Sequence, residues 1–80
     1  MVRSLHTPAY DAFRALLIDG RARAQLTQAQ TAERLGRPQS FVSKYETGER
    51  RLDIVEFLQV CHVIGIDPLL AISDLANRVD

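Results

Sequence analysis

Cysteine is almost missing from this chain: Cys61 is the sole one in 80 residues. A single cysteine excludes an intrachain disulfide and leaves no cysteine-based metal cluster. Long apolar runs are missing too, and none approaches the roughly 20 residues that span a bilayer. The start, Met1 to Pro8, lacks the apolar core of a secretion signal. These absences fit a reducing cytoplasm. There is no glycine-rich phosphate loop, and no motif sets a nucleophile beside a base. His6 and His62 are far apart in sequence, and a zinc site needs about four ligands. The expectation is a non-enzyme with no metal and no cofactor. No internal repeat and no low-complexity stretch appears. Eighty residues make one domain. A chain this short buries only about 60–65% of its unfolded surface, so its stability must be modest.

Net charge is missing as well, since ten basic residues balance ten acidic ones. That counts against nucleic acid at first sight, because such binding needs a basic face. The average hides an asymmetry. Residues 21–51 carry seven arginines and lysines against three glutamates, a net charge of +4. Residues 52–80 carry one arginine against five acidic residues, a net charge of −4. On charge alone two readings stand level: a domain that touches phosphate along one face, or a solvated helical surface.

What is present is helical periodicity, in five segments and with no strand pattern. Residues 9–24 place Ala12, Phe13, Leu16 and Leu17 at helical spacing, with Thr7 as cap and Pro8 suited to a first turn. Gly20 costs this helix roughly 1 kcal/mol relative to alanine, which predicts a loose last turn. Thr27 opens the second segment, with Gln30 three residues on as in a capping box. Ala29, Ala32 and Leu35 fall on one face, and Gly36 closes the helix. The third segment runs from Gln39 to about Thr47, with Val42 and Tyr45 facing inward. Asp53 caps a fourth that reaches Ile64 and carries the apolar stripe Ile54, Phe57, Leu58, Cys61 and Ile64. Cys61 is expected in the core and His62 on the surface. Asp67 and Pro68 start a fifth, with Leu69, Leu70, Ile72, Leu75 and Ala76 apolar. The expected organisation is an N-terminal arm (1–8), a helical domain (9–77) and a frayed end (78–80).

The stretch from Leu26 to Arg51 is the informative one. Two short helices meet across the corner Gly36-Arg37-Pro38-Gln39. Helices that cross steeply over a short turn need close backbones, and Ala32 is small enough to allow it. Val42 then fills the space between them. This is the geometry of a helix-turn-helix, whose second helix enters the major groove while the first lies across the DNA backbone.

The run Leu26-Thr27-Gln28-Ala29, Ala32-Glu33-Arg34-Leu35-Gly36 and Pro38 through Arg51 resembles the Xre family of regulators, typified by the lambdoid phage repressors and Cro. The likeness covers roughly residues 10–72. It implies an all-α, compact five-helix bundle of the lambda repressor type. It implies that Gln28 holds a phosphate and braces Gln39, and that Gln39 reads a base edge, as glutamine does with adenine. Ser40 and Ser43 would touch base or phosphate, and Lys44 guanine or phosphate. Arg50 and Arg51, after the recognition helix, would clamp phosphates or enter the minor groove. Arg37, at the corner, is a further DNA-binding candidate. Arg21 and Glu46 match an internal salt bridge between the first and third helices. Phe41 is expected to lean on protein, with a thymine methyl as its alternative contact.

Two positions depart from the family pattern. Thr31 stands where leucine is usual, so either its hydroxyl bonds back to the helix or the core is under-filled. Gly20 replaces a larger apolar residue. The functional expectation is a cytoplasmic, sequence-specific regulator of bacterial or phage type that binds double-stranded DNA and acts as a repressor. A homodimer would read two half-sites, with Leu69, Leu70, Ile72 and Leu75 as the candidate contact. The competing reading is a protein-interaction module of the same shape, such as an antitoxin or a phage accessory protein.

Overall fold

A computed structural model describes residues 7–79. It has five helices: α1 (Pro8–Arg23), α2 (Gln28–Leu35), α3 (Gln39–Thr47), α4 (Ile54–Ile64) and α5 (Pro68–Ala76). No strand forms among the described residues. Residues 1–6 of the expected arm and Asp80 lie outside them. Of the arm's other two residues, Thr7 caps α1, its Oγ1 accepting from the Tyr10 amide at 3.1 Å, and Pro8 is the first residue of the helix. Arg78 is still tied back, its amide donating to the Leu75 carbonyl at 2.9 Å.

The caps follow from local chemistry. Thr27 and Gln30 form a reciprocal capping box at α2, and Asp53 and Glu56 form another at α4. Each satisfies two of the amides that a helix start leaves without partners. Gly36 takes φ +70° after α2, a left-handed conformation open to glycine at little cost. The Arg37 amide then reaches back to the Ala32 carbonyl at 3.0 Å, which aims the corner toward α3. Gln39 is already helical, so the corner is Gly36 to Pro38, one residue shorter than the sequence suggests. The end of α1 uses the same device with an unusual residue. Gln25 has φ +61°, and the Leu26 amide bonds the Arg21 carbonyl at 3.2 Å.

The core consists of Leu17 from α1, Leu26, Ala32 from α2, and Phe41, Val42 and Tyr45 from α3, with Phe57, Val60, Cys61 and Ile64 from α4 and Ala71 from α5. Ala32 and Val42 are both buried where α2 meets α3, as close crossing requires. Thr31 is fully buried, and its hydroxyl donates to the Thr27 carbonyl at 2.8 Å. Its methyl can therefore pack while its polar atom stays satisfied.

Three sequence expectations are corrected. The buried side of α4 is Phe57, Val60, Cys61 and Ile64, while Ile54 and Leu58 are exposed. Both sets have helical spacing, so periodicity alone could not choose between them. In α2, Ala29 is exposed and Thr31 is buried in its place, because α3 and α4 cover that side. Gly20 does not loosen α1. The helix runs through it to Arg23, and Gly20 is buried against Ile66.

Candidate nucleic-acid interface

Helix α3 divides cleanly into two faces. Phe41, Val42, Tyr45 and Glu46 are buried, whereas Gln39, Ser40 and Lys44 are exposed and Ser43 is half-buried. Residues three and four apart share a helix face, so Ser40, Ser43 and Lys44 form one polar surface with Gln39 at its leading end. Pro38 precedes α3 with a side chain that cannot cap it, so the first amides there have no cap of that kind. The Phe41 amide turns back to the Pro38 carbonyl at 3.0 Å.

The angle of α3 against α1 is set by ion pairing around Glu46. Arg21 Nε donates to one Glu46 oxygen at 2.6 Å and Arg21 Nη2 to the other at 3.0 Å. Arg21 Nη1 reaches the Leu26 carbonyl at 2.9 Å. These bonds favour the charged guanidinium and raise its pKa above the ordinary arginine value. Gln28 Nε2 donates to the same carboxylate at 2.9 Å. Donation from nitrogen fixes the amide's orientation and turns Oε1 of Gln28 toward Gln39, whose Nε2 lies at 3.5 Å. The structure therefore joins Arg21, Glu46, Gln28 and Gln39 in one chain of contacts. Arg14, which the sequence reading passed over, adds to it. Its Nη1 donates to the Glu46 carbonyl at 2.7 Å, and its Nη2 pairs with Asp11 at 2.8 Å. A signal existed: Arg14 stands seven residues before Arg21, two turns along the same face of α1.

A second cluster lies beside the corner. The Phe41 ring is buried against Tyr45, centroids 5.5 Å apart and nearly perpendicular. Two guanidinium groups approach the ring, with the Cζ of Arg37 4.4 Å and that of Arg50 4.8 Å from its centroid. Arg50 also grips Glu56 with both terminal nitrogens, at 3.0 and 2.9 Å, and donates to the Arg51 carbonyl at 2.7 Å. Arg37 touches Glu56 more weakly, at 3.4 Å. The Asp53 amide donates to Glu56 as well, at 3.0 Å. With the Arg50 bond as the largest influence, the Glu56 carboxyl is pulled down to about 2. The sequence did not single out Glu56. Its partners Arg50 and Arg37 stand six and 19 residues before it, and nothing local marks the three as a cluster.

The remaining expected residues are placed as follows. Arg51 is exposed, its Cζ 5.0 Å from the centroid of the Tyr10 ring. Cys61 is buried, and burial pushes its thiol up to about 11; His62 is exposed. Tyr45 is buried too, and burial raises its phenol well above the usual range. Leu69, Leu70 and Ile72 are exposed on α5, but Leu75 is half-buried and lines a groove with Phe13. Among the described residues no helix is long and apolar enough to cross a membrane.

Known proteins of similar sequence and shape support this picture. A family model described as a helix-turn-helix domain matches residues 12–71. Among solved structures, an XRE-family like protein from Pseudomonas syringae pv. tomato str. DC3000 is similar at 49% identity, with a TM-score of 0.84. The match covers 90% of this chain and 88% of that one. No curated protein matches.

Proposed function

Since the chain belongs to the Xre-type helix-turn-helix family of DNA-binding regulators, we propose that it reads duplex DNA in a sequence-specific way, with α3 in the major groove, and represses transcription. The observation that carries this reading is the exposed polar face of α3, braced from α2 by the Gln28–Gln39 contact. Gln39, Ser40, Ser43 and Lys44 read base edges or adjacent phosphates. Gln28 orients Gln39 from the start of α2 and contacts a phosphate of the DNA backbone. Arg51, beyond the recognition helix, reaches phosphate or the minor groove.

The test is selection from a pool of random duplexes at two salt concentrations, comparing the wild type with Gln39→Ala/Lys44→Ala. The wild type is expected to enrich a two-fold-symmetric motif and to bind less as salt rises, because phosphate contacts release counterions. The double variant is expected to lose the motif, at about 1–3 kcal/mol for each base contact removed. Failure of the wild type to enrich anything, even at low salt, would overturn the reading and leave the protein-interaction module as the alternative. The acidic segment 52–80 favours that second reading, and a partner held by apolar surface would not show the steep salt dependence.

A homodimer completes the proposal, since one α3 reads only a half-site. On α5, Leu69 and Leu70 are 76% and 70% exposed. On α4, Ile54, Val55 and Leu58 are also exposed. A second copy of this chain would cover these apolar side chains. Leu69→Glu is expected to yield a folded monomer, read by analytical ultracentrifugation and circular dichroism. A variant that sediments like a dimeric wild type would place the contact elsewhere.

A further inference from the structure

Arg37 and Arg50 flank α3 in sequence, and both are candidates for touching DNA. Their surroundings differ. The guanidinium of Arg50 spends three of its five N–H donors on protein: two bonds to Glu56 and one to the Arg51 carbonyl. A carboxylate held by two parallel N–H bonds is the arrangement in which arginine also binds phosphate. A two-pronged phosphate contact through the same edge of Arg50 would therefore have to displace Glu56, whose other bonds close the capping box of α4. Arg37 differs in its bonding, not its exposure, since the two side chains are 40% and 39% exposed. Its one hydrogen bond is the long 3.4 Å contact to Glu56, which leaves most of its N–H groups available. The Phe41 ring lies under it, 4.4 Å from Cζ to centroid. Such a shelf limits the rotamers of a long side chain without using its donors. Arg37 also stands two residues ahead of Gln39, at the end of α3 that leads into the groove.

Resting on the DNA-binding reading, we propose that Arg37, laid on the Phe41 ring at the corner, is a phosphate contact, while Arg50 forms a charge-neutral internal strut with Glu56 and takes no phosphate. Two arginines around one carboxylate offer the DNA one net positive charge, and Arg37 carries it.

The salt dependence of binding counts phosphates one by one, and it does so on DNA of any sequence. The probe is a fluorescein-labelled duplex of mixed sequence, titrated by anisotropy over a series of salt concentrations. Three proteins are compared: wild type, Arg37→Gln, and the paired variant Arg50→Gln/Glu56→Gln. Each is also melted by circular dichroism. The expected result is a slope of log K against log salt that is about 0.9 shallower for Arg37→Gln, the value of one phosphate, with little change in Tm. The paired variant should keep the wild-type slope and melt at a lower temperature. A wild-type slope for Arg37→Gln, or a slope shallower by one phosphate for the paired variant, overturns the proposal. Should the paired variant fail to fold at the working temperature, Arg37→Gln alone decides. A wild type that binds no duplex at low salt overturns the DNA-binding reading itself, and this proposal with it. Salt-dependent wild-type binding with an unchanged Arg37→Gln slope overturns only the assignment of Arg37.

Discussion

Glu46→Ala is expected to destabilise the fold by about 3–5 kcal/mol, the cost of breaking a buried ion pair from one side. The side chain of Glu46 is 5% exposed and that of Arg21 is 18% exposed. Removing the carboxylate leaves the guanidinium half-satisfied in a place where water reaches it poorly. It also frees the Gln28 amide, which the carboxylate holds at 2.9 Å. Small domains have only about 5–15 kcal/mol of stability in total, so this one substitution should move the urea unfolding midpoint by a large fraction. Replacing both partners, as Arg21→Leu/Glu46→Leu, should recover much of the loss, because no charge then remains buried without a partner. A loss below about 1 kcal/mol for Glu46→Ala would mean that the pair behaves like an exposed bridge. Arg14 would then be the stronger candidate for what joins α1 to α3.

Gly20→Val should destabilise the protein by about 2–3 kcal/mol, through overpacking. A Cβ at position 20 would come within 2.9 Å of Ile66 Cγ1 and 3.1 Å of Ile64 Cδ1. Both neighbours belong to the end of α4 and the turn after it, so α1 can approach that turn only where a side chain is missing. The informative control is Gly20→Ala. At an open helix position this change gains about 1 kcal/mol from propensity. Here the crowding opposes that gain, and the expected sum is a net loss in urea unfolding. A stabilised Gly20→Ala would show that Ile66 simply turns aside, and the close approach would then have no energetic weight.

These two residues illustrate how much of the molecule was legible beforehand. Glu46 and Arg21 were read together from a family likeness, and the bond lengths bear that pairing out. Gly20 was read as a defect because propensity describes an isolated helix. The same glycine is a packing device once Ile66 is known to lie over it. Gln25 shows a related limit: its left-handed φ closes α1 where no glycine or asparagine marks the turn. Within the candidate site, the outward set of Gln39, Ser40 and Lys44 was visible from the motif. The Arg37–Phe41–Arg50–Glu56 cluster was not, since it assembles from the corner, α3, the following loop and α4.

The sequence by itself determined the five helices, most of their caps, the all-α class and the helix-turn-helix between Thr27 and Thr47. Those features rest on interactions within one or two turns of the chain: a hydroxyl on an amide, a glycine at a helix end, a small residue where helices cross. Only the tertiary structure decided which face of α4 is buried, why α1 carries Gly20, and which arginine beside the recognition helix is already held by Glu56. Those outcomes depend on contacts between distant residues, and neither periodicity nor local propensity carries information about such partners.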